Sequence, residues 1–453
     1  KEGSKFIFLL QKFTLYETKT HFYIVGSNAR ETRFRILEID LAKSQETLSI
    51  KEIGGAYNRL EVMELLGNLE DQTKTSGGLT KRLTAWGIMG FIRFTEGYYI
   101  LMITKRSCVA LLGGHYVYHI DATQLIPLAY SGTYRKPDRR SEETRYLTTF
   151  QNLDLSKTFY FSYTYDITHT LQHNMIHEKK KAQNFNDRRT LNGYNEMFVW
   201  NNALLKPVVS TFENAFRWYL PIIHGFIDQA KISVSGRNIH VTIIARRSHY
   251  FAGARFLKRG VNDQGRVANE VETEQIVAEI NTTSFHDPRE GLFNSKRYTS
   301  YVQHRGSIPL FWSQEVNNMS PKPPIELNAP DPYFAAAALH FDDMFARYGP
   351  KIKVLNLIKT REKNPRETKL LVKFNECIRY LNQFLPEENR ICYTSWDMSR
   401  ASKSRDQDVI EFLEKYADET LQMTEFFHNG KNSKDMRVQK GICRTNCIDC
   451  LDR

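Results

Sequence analysis

The chain contains no apolar run that could cross a bilayer. Runs such as Ile100-Leu101-Met102-Ile103 fall far short of the roughly 20 residues that a membrane helix needs. The stretch from Lys1 to Gln11 has too short an apolar core to read as a secretory signal. Cysteine is scarce. Six in 453 residues cannot make a disulfide scaffold, and Cys443, Cys447 and Cys450 crowd together, so the expected compartment is reduced and cytosolic. A Walker-type phosphate loop is missing, which leaves nucleotide-driven chemistry without support. No recognisable nucleic-acid-binding module is present either.

Positive charge, in contrast, is plentiful. The formal net charge is +12, and it favours anionic partners: nucleic acid, an anionic membrane surface or a phosphorylated substrate. Short basic knots occur at Lys105-Arg106, Arg135 to Arg140 and Lys179 to Lys181, and most read as solvated faces or loops. With 41% hydrophobic residues, a chain of this length can fill two or three domains.

The patterning changes along the chain. The first part reads as antiparallel β. Phe13 to Tyr16 and Phe22 to Val25 form one hairpin pattern, Phe34 to Ile39 a further strand, and Gly90 to Phe94 with Tyr98 to Thr104 the strongest hairpin. A helical stretch covers Arg59 to Leu69, and another strand Tyr116 to Ile120. The polar segment from Glu178 to Thr190 suits an exposed connector. Beyond it, strands alternate with helices. Phe334, Ala338, Phe341 and Phe345 make one apolar stripe, ending at Gly349-Pro350. Leu370, Phe374, Cys377 and Leu381 make a second, and Ile410, Leu413, Ala417 and Leu421 a third. Val354 to Ile358 reads as a buried strand. The expected fold class is therefore α/β with a β-rich subdomain over 1–175, a connector over 176–190 and an α/β catalytic subdomain over 191–453.

The chemistry points to the stretch Arg444 to Arg453, where five residues separate Cys447 from Arg453 in a Cys-X5-Arg spacing. A loop of this length can curl its backbone N–H groups inward as an anion nest. The arginine fork closes the ring on two phosphate oxygens. A cysteine at the floor of such a nest can have its thiol pKa lowered from about 8.5 into the range of roughly 3.5–7.5. Its thiolate can then attack phosphorus and form a phosphocysteine. Asp449 and Asp452 lie within the loop as candidate acids for the leaving oxygen, and the backbone from Ile448 through Cys450 and Leu451 to Asp452 supplies the nest. The thiol chemistry needs no metal, although Mg2+ could assist in presenting a lipid.

Other readings of the same residues are weaker. Cys443, Cys447 and Cys450 offer three thiolates where a structural zinc needs four ligands. Cys447-Ile448-Asp449-Cys450 is also a C-x-x-C, so Cys450 could make the nucleophile reversibly oxidisable.

The decapeptide R-T-N-C-I-D-C-L-D-R resembles the catalytic signature of the Sac-domain phosphoinositide phosphatases. F-T-L-Y-E-T-K-T-H-F-Y-I-V-G-S-N at Phe13 to Asn28 is similar to the opening of one branch of that family, and F-Y-F-S-Y-T-Y-D-I-T-H-T-L-Q at Phe159 to Gln172 to the close of its N-terminal subdomain. Gly265 to Gln275 and Ser300 to Gln314 resemble family motifs outside the loop. The resemblance implies a two-subdomain Sac fold and removal of a ring phosphate, preferentially the 5-phosphate of phosphatidylinositol 3,5-bisphosphate. It implies Cys447 as nucleophile and Arg453 as phosphate clamp, with Asn446 near the substrate and Asp397, in Tyr393-Thr394-Ser395-Trp396-Asp397-Met398, as a third acid or a structural carboxylate. Among the arginines of the two motif blocks, Arg305 and Arg255 could line the mouth of a phosphate pocket or pair with nearby acids such as Glu270, Glu272 and Glu274. It further implies a PIKfyve-type lipid kinase and a helical-repeat scaffold as partners, peripheral attachment at the cytosolic face of endosome, vacuole or lysosome membranes, and a helix after Arg453 whose dipole helps hold phosphate. Nucleic acid is not expected as a partner. The rivals are a protein tyrosine phosphatase, whose loops usually read H-C-x-x-G-x-x-R where this chain has Asn446 and Cys450, and a non-catalytic scaffold subunit that keeps the fold.

Overall fold

The computed structural model describes residues 8–183, 193–212, 214–253, 257–279, 298–315, 323–404, 408–430 and 434–449, without the side chains of 45 and 178–183. Two compact units share the chain. The first is Lys1–Leu111, His115–Thr168 and Arg188–His224; the second is Leu112–Gly114, His169–Asp187 and Gly225–Arg453.

In the first unit, β1 (Lys12–Glu17), β2 (His21–Ser27), β3 (Phe34–Asp40), β4 (Ile50–Tyr57) and β5 (Thr80–Ala85) form an antiparallel sheet in the order β4-β3-β2-β1-β5. Alternation drives it: β1 buries Phe13 and Leu15, which join Phe22, Ile24, Leu37 and Ile39 in one core. Helix α1 (Arg59–Thr73) begins at Asn58 with a reciprocal capping box to Glu61 and packs Val62 on the far face, with Tyr23, Val25 and Ile36. β6 (Gly87–Arg93) and β7 (Tyr98–Leu112) make the expected hairpin, followed by β8 (His115–Pro127), α2 (Glu142–Gln151) and β9 (Phe159–Phe161).

Sequence patterning misplaced the connector. Helix α3 (Leu171–Gln183) occupies much of the segment expected to be loop, while 184–192 lie outside the described residues. The following segment, with α4 (Asn202–Val209), does not join the second unit. Leu205, Val208, Trp218 and Tyr219 fill the core of the first, and Leu204 and Ile222 its second cluster. The reason is physical: a lysine-rich helix and a polar loop have the same composition.

The second unit carries a mixed sheet. β10 (Ile223–Val234), β11 (Arg237–Arg247), β12 (Val271–Glu279) and β13 (Tyr298–Arg305) are antiparallel. The short pair β14 (Trp312–Gln314) and β15 (Ile325–Leu327) follows, then α5 (Ala335–Tyr348), β16 (Lys351–Asn356), α6 (Glu367–Asn382), β17 (Cys392–Ser395), α7 (Met398–Ala401), α8 (Val409–Thr424), β18 (Phe427–His428) and β19 (Gly441–Asn446). β13, β19, β16 and β17 lie side by side and parallel. Helices cover both faces of the central strands. Ile352 and Val354 meet Phe341, Met344, Leu370 and Phe374 of α5 and α6, whereas Leu355 and Cys443 meet Tyr416 of α8. Gly349 (φ 100°) ends α5, as Gly-Pro predicts.

Two stripes face as expected; the third does not. Ile410 is 68% exposed, and Leu413 and Leu421 also point outward. α8 instead buries Tyr416, Thr420 and Thr424, with Phe412 stacked on Trp396. Burying threonine is tolerable here because Thr420 donates to Tyr416 O (2.6 Å) and Thr424 to Thr420 O (2.9 Å).

The pairing of β16 with β19 sets a strict size limit. A Cβ on Gly441 would stand 1.8 Å from Lys351 O, with no rotamer to relieve it. Gly441→Ala is therefore expected to cost about 1–3 kcal/mol or more, read as a lowered denaturation midpoint.

Candidate active site

Parallel strands end on a shared carboxyl edge, where open α/β sheets bind their ligands. Here the register aligns Arg305 with Thr445, Asn446 with Asn356, and Asn356 with Ser395. Three of these ends are tied by side chains. Asn446 Nδ2 donates to Asn356 Oδ1 (2.6 Å), and Asn356 Nδ2 donates to Tyr393 Oη (2.8 Å). Leu357 N donates to Asn446 O (2.9 Å), so the backbone one residue before Cys447 is anchored as well.

From below, Arg444 holds the same strand. It is fully buried, donating Nε to His340 Nε2 (2.9 Å), Nη2 to Ser307 O (2.6 Å) and Nη1 to Asn446 Oδ1 (3.4 Å). His340 is the acceptor and so must be unprotonated at Nε2. Burial, then the Arg444 charge beside it, hold its pKa well below the ordinary value.

Cys447 is buried at the mouth of β19, Ile448 packs against the α5–α6 core, and Asp449 is buried with Oδ1 accepting from Arg259 Nη2 at 3.0 Å. Cys450, Leu451, Asp452 and Arg453 lie outside the described residues, as does Arg255. The structure thus brings Asn446, Cys447, Ile448, Asp449 and Arg305 to one edge. Asp397 is nearby but committed: Oδ1 accepts from Arg400 N (2.9 Å) and Oδ2 from Thr360 N (2.9 Å), the arrangement of a structural carboxylate that caps α7.

Arg305 is half-buried at the end of β13, and its charge, after burial, helps lower the pKa of Arg247. Glu272 and Glu274 are taken instead by Arg246 (3.0 and 2.8 Å), and Glu270 by His304 (2.8 Å) and Arg347. Sequence reasoning missed Arg259, which precedes Gly260, as part of the site, and it gave Arg444, the first residue of the signature stretch, no role of its own. Gly260 has φ 74°, and a Cβ there would meet Leu310 O at 2.2 Å, a turn that fixes the arginine's direction.

Beside this edge, the loop after β16 and the start of α7 enclose a cleft of about 740 Å3. Lys359, Arg361, Lys363, Arg366, Arg400 and Lys403 line it. Its acids do not offset this charge freely. Glu362 accepts from Arg366 N (2.9 Å) and Thr368 N (3.1 Å); burial would raise its pKa, but these backbone bonds win and lower it. Six cations give the cleft a positive field that favours anions. Cys443 lies elsewhere, in an apolar cluster with Leu355 and Tyr416, and burial raises its pKa. Among the described residues no group of three or more His, Cys, Asp or Glu could hold a metal, and no helix is long and apolar enough to cross a membrane.

Comparison with known proteins bears on what this edge is for. Residues 86–403 match the SacI homology domain. The chain is 45% identical over 449 residues to a polyphosphoinositide phosphatase of Schizosaccharomyces pombe, covering 98% of this chain and 51% of that protein. It is 38% identical over 505 residues to phosphoinositide phosphatase SAC2 of Arabidopsis thaliana (100% and 60% covered), and 36% over 509 residues to that plant's phosphatidylinositol-3-phosphatase SAC1 (98% and 54%). The chain therefore spans between half and three-fifths of the length of these relatives. With the family model matched over most of its length and a mixed α/β fold rich in sheet, the chain belongs to the SacI homology domain family.

Proposed function

We propose that this chain hydrolyses a phosphate monoester on the inositol ring of a membrane phosphoinositide, through a phosphocysteine on Cys447. The observation that carries the reading is the position of Cys447, just past the carboxyl end of a central parallel strand and on the edge where β16 and β17 also end, in a chain of this family. Cys447 attacks phosphorus, the backbone N–H groups after it hold the non-bridging oxygens, and Arg453 clamps them as charge develops. An acid of the loop, Asp449 or Asp452, protonates the leaving oxygen. The preferred substrate is phosphatidylinositol 3,5-bisphosphate, at its 5-phosphate; the sequence likeness to that branch supports the choice. The same likeness supports a PIKfyve-type kinase and a helical-repeat scaffold as partners, and peripheral attachment to the cytosolic face of endosome or vacuole membranes. Any Mg2+ would serve lipid presentation and not the thiol step.

A phosphate-release panel over all phosphoinositides and a phosphotyrosine peptide tests this reading. Release chiefly from the 3,5-bisphosphate, leaving the 3-phosphate, is expected. Release from the peptide alone would replace the reading with a tyrosine phosphatase, and no release by the protein in its native complex would leave a scaffold. The cleft adds its own prediction. Arg361→Glu and Lys363→Glu should each raise KM for the bisphosphate about tenfold, the worth of a charged hydrogen bond, and change KM for a soluble aryl phosphate far less.

A further inference from the structure

We propose that Arg247, Asn269 and Arg305 form a second phosphate subsite, one that grips a phosphate of the substrate headgroup other than the one transferred. The proposal rests on the phosphatase reading above and narrows it to headgroups with more than one ring phosphate. Strand register places the residues. β11 ends at Arg247 and β13 at Arg305, and both register against Val271, the first residue of β12. Residues paired in this way point to one face of a sheet, so the two arginines share that face across a single intervening strand. Their charges act on each other, since Arg305, after burial, lowers the pKa of Arg247. Like charges held this close favour an anion beside them. Arg305 also registers against Thr445, on the strand that leads to Cys447. The subsite therefore stands on the β13 side of β19, while β16 and β17, which lead into the basic cleft, lie on the other.

Arg247 is held in place but not satisfied. Its Nη2 donates to Gly253 O (2.6 Å) and to Asn269 Oδ1 (3.4 Å), and both acceptors are neutral. Its Nε is buried and meets no acceptor among the described residues. The acids nearby are already taken: Glu272 and Glu274 by Arg246, which points to the opposite face, and Glu270 by His304 and Arg347. Asn269 is the second unsatisfied donor, and it is 2% exposed. An arginine can only donate, so its bond fixes which branch of the amide is Oδ1. That leaves Nδ2 buried, again with no acceptor among the described residues. Buried donors are almost always paired, and two of them on touching side chains call for an acceptor with several oxygens. A phosphate monoester supplies three, with the charge that Arg247 lacks. Both arginines are only partly buried, so such a group can reach them from solvent. Free inorganic phosphate has the same chemistry, and the test separates the two sources.

The first readout is calorimetric titration of inositol 1,3,5-trisphosphate, and separately of inorganic phosphate, into Cys447→Ser protein. Arg247→Gln, Arg247→Lys and Asn269→Asp are each added to that background, which keeps turnover out of the measurement. Arg247→Gln should raise Kd for the trisphosphate about tenfold, the worth of a charged hydrogen bond. Arg247→Lys should recover part of the loss, because lysine keeps the charge without the fork. Asn269→Asp sets a carboxylate against Arg247, so it should weaken binding about as much while the denaturation midpoint holds or rises. That variant separates loss of the subsite from loss of the fold. A trisphosphate Kd unmoved in both Arg247→Gln and Asn269→Asp would overturn the proposal. So would a loss confined to inorganic phosphate, which would make this a site for free phosphate. The second readout is turnover with Cys447 in place. Arg247→Gln should raise KM for phosphatidylinositol 3,5-bisphosphate about tenfold with little change in kcat, and move KM for phosphatidylinositol 5-phosphate far less. Equal shifts on the two lipids would overturn the assignment to the second phosphate. Absence of turnover in wild type would count against the phosphatase reading and leave the titration to decide the subsite.

Discussion

Replacing Cys447 with serine is expected to lower phosphate release at least about 1,000-fold, the scale on which removal of a nucleophile acts in enzymes that work through a covalent intermediate. Serine keeps the size and polarity of the side chain, so the buried site at the end of β19 loses little packing. What it loses is the anion. A hydroxyl is not ionised by a nest and an arginine at neutral pH, whereas a thiol is. The neighbouring Cys443→Ser makes the control. Cys443 sits among Leu355 and Tyr416, so placing a hydroxyl there should cost roughly 1–3 kcal/mol of stability and leave turnover per folded molecule unchanged. Single-turnover phosphate release and thermal denaturation on the two variants separate these effects. Equal release by Cys447→Ser and wild type would remove the residue from the chemistry.

Glu270→Ala should give the largest loss of stability, about 3–5 kcal/mol, because it takes from Arg347 its fully buried counter-ion and leaves the more exposed Asp343 to balance it. Glu270 is fully enclosed, accepting from His304 Nε2 and pairing with Arg347, while Tyr348 Oη donates to the adjacent Glu272. Burial alone would raise the Glu270 pKa. The Arg347 charge and the His304 hydrogen bond overcome it and hold the carboxyl well below the ordinary range. Its contribution is therefore present above the unfolded value near 4.5 and lost as pH falls from there toward the folded value. His304 and His340 are also held below the ordinary histidine value of 6.5, first by burial. Each takes a proton in the unfolded chain before the folded one, so wild type should already weaken as pH falls below about 6.5. Urea denaturation from pH 8 to 4 checks both signs. His340→Gln, which keeps an acceptor for Arg444, should flatten the first decline. The gap between wild type and Glu270→Ala should be widest near neutrality and narrow below about pH 4.5; a gap that widens with acid would contradict the assignment.

What was legible from sequence follows the physics of each element. The N-terminal hairpins show because burial alternates along β1 while β6 and the start of β7 are unbroken apolar runs, and the α5 and α6 stripes show because apolar residues dominate their buried faces. α8 was misread for a converse reason. Its inward face contains Thr420 and Thr424, whose hydroxyls are satisfied by the helix itself, while apolar Ile410 lies in solvent. The return of 193–224 to the first unit could not be read, because tryptophans and leucines do not name the core they fill. At the site, Cys447 and Asp449 stood out by local spacing. Arg259 is paired with Asp449 across 190 residues of chain, and no local pattern reports such a contact.

The phosphocysteine is the centre of the account, and it can be trapped. Protein mixed with phosphatidylinositol 3,5-bisphosphate carrying labelled phosphate at position 5 is quenched in acid within milliseconds, digested and sequenced by mass spectrometry. The account predicts label on the sulfur of Cys447, appearing before free phosphate and absent from Cys447→Ser. Phosphate released with no label on Cys447 at any time, or label on another residue, would contradict it.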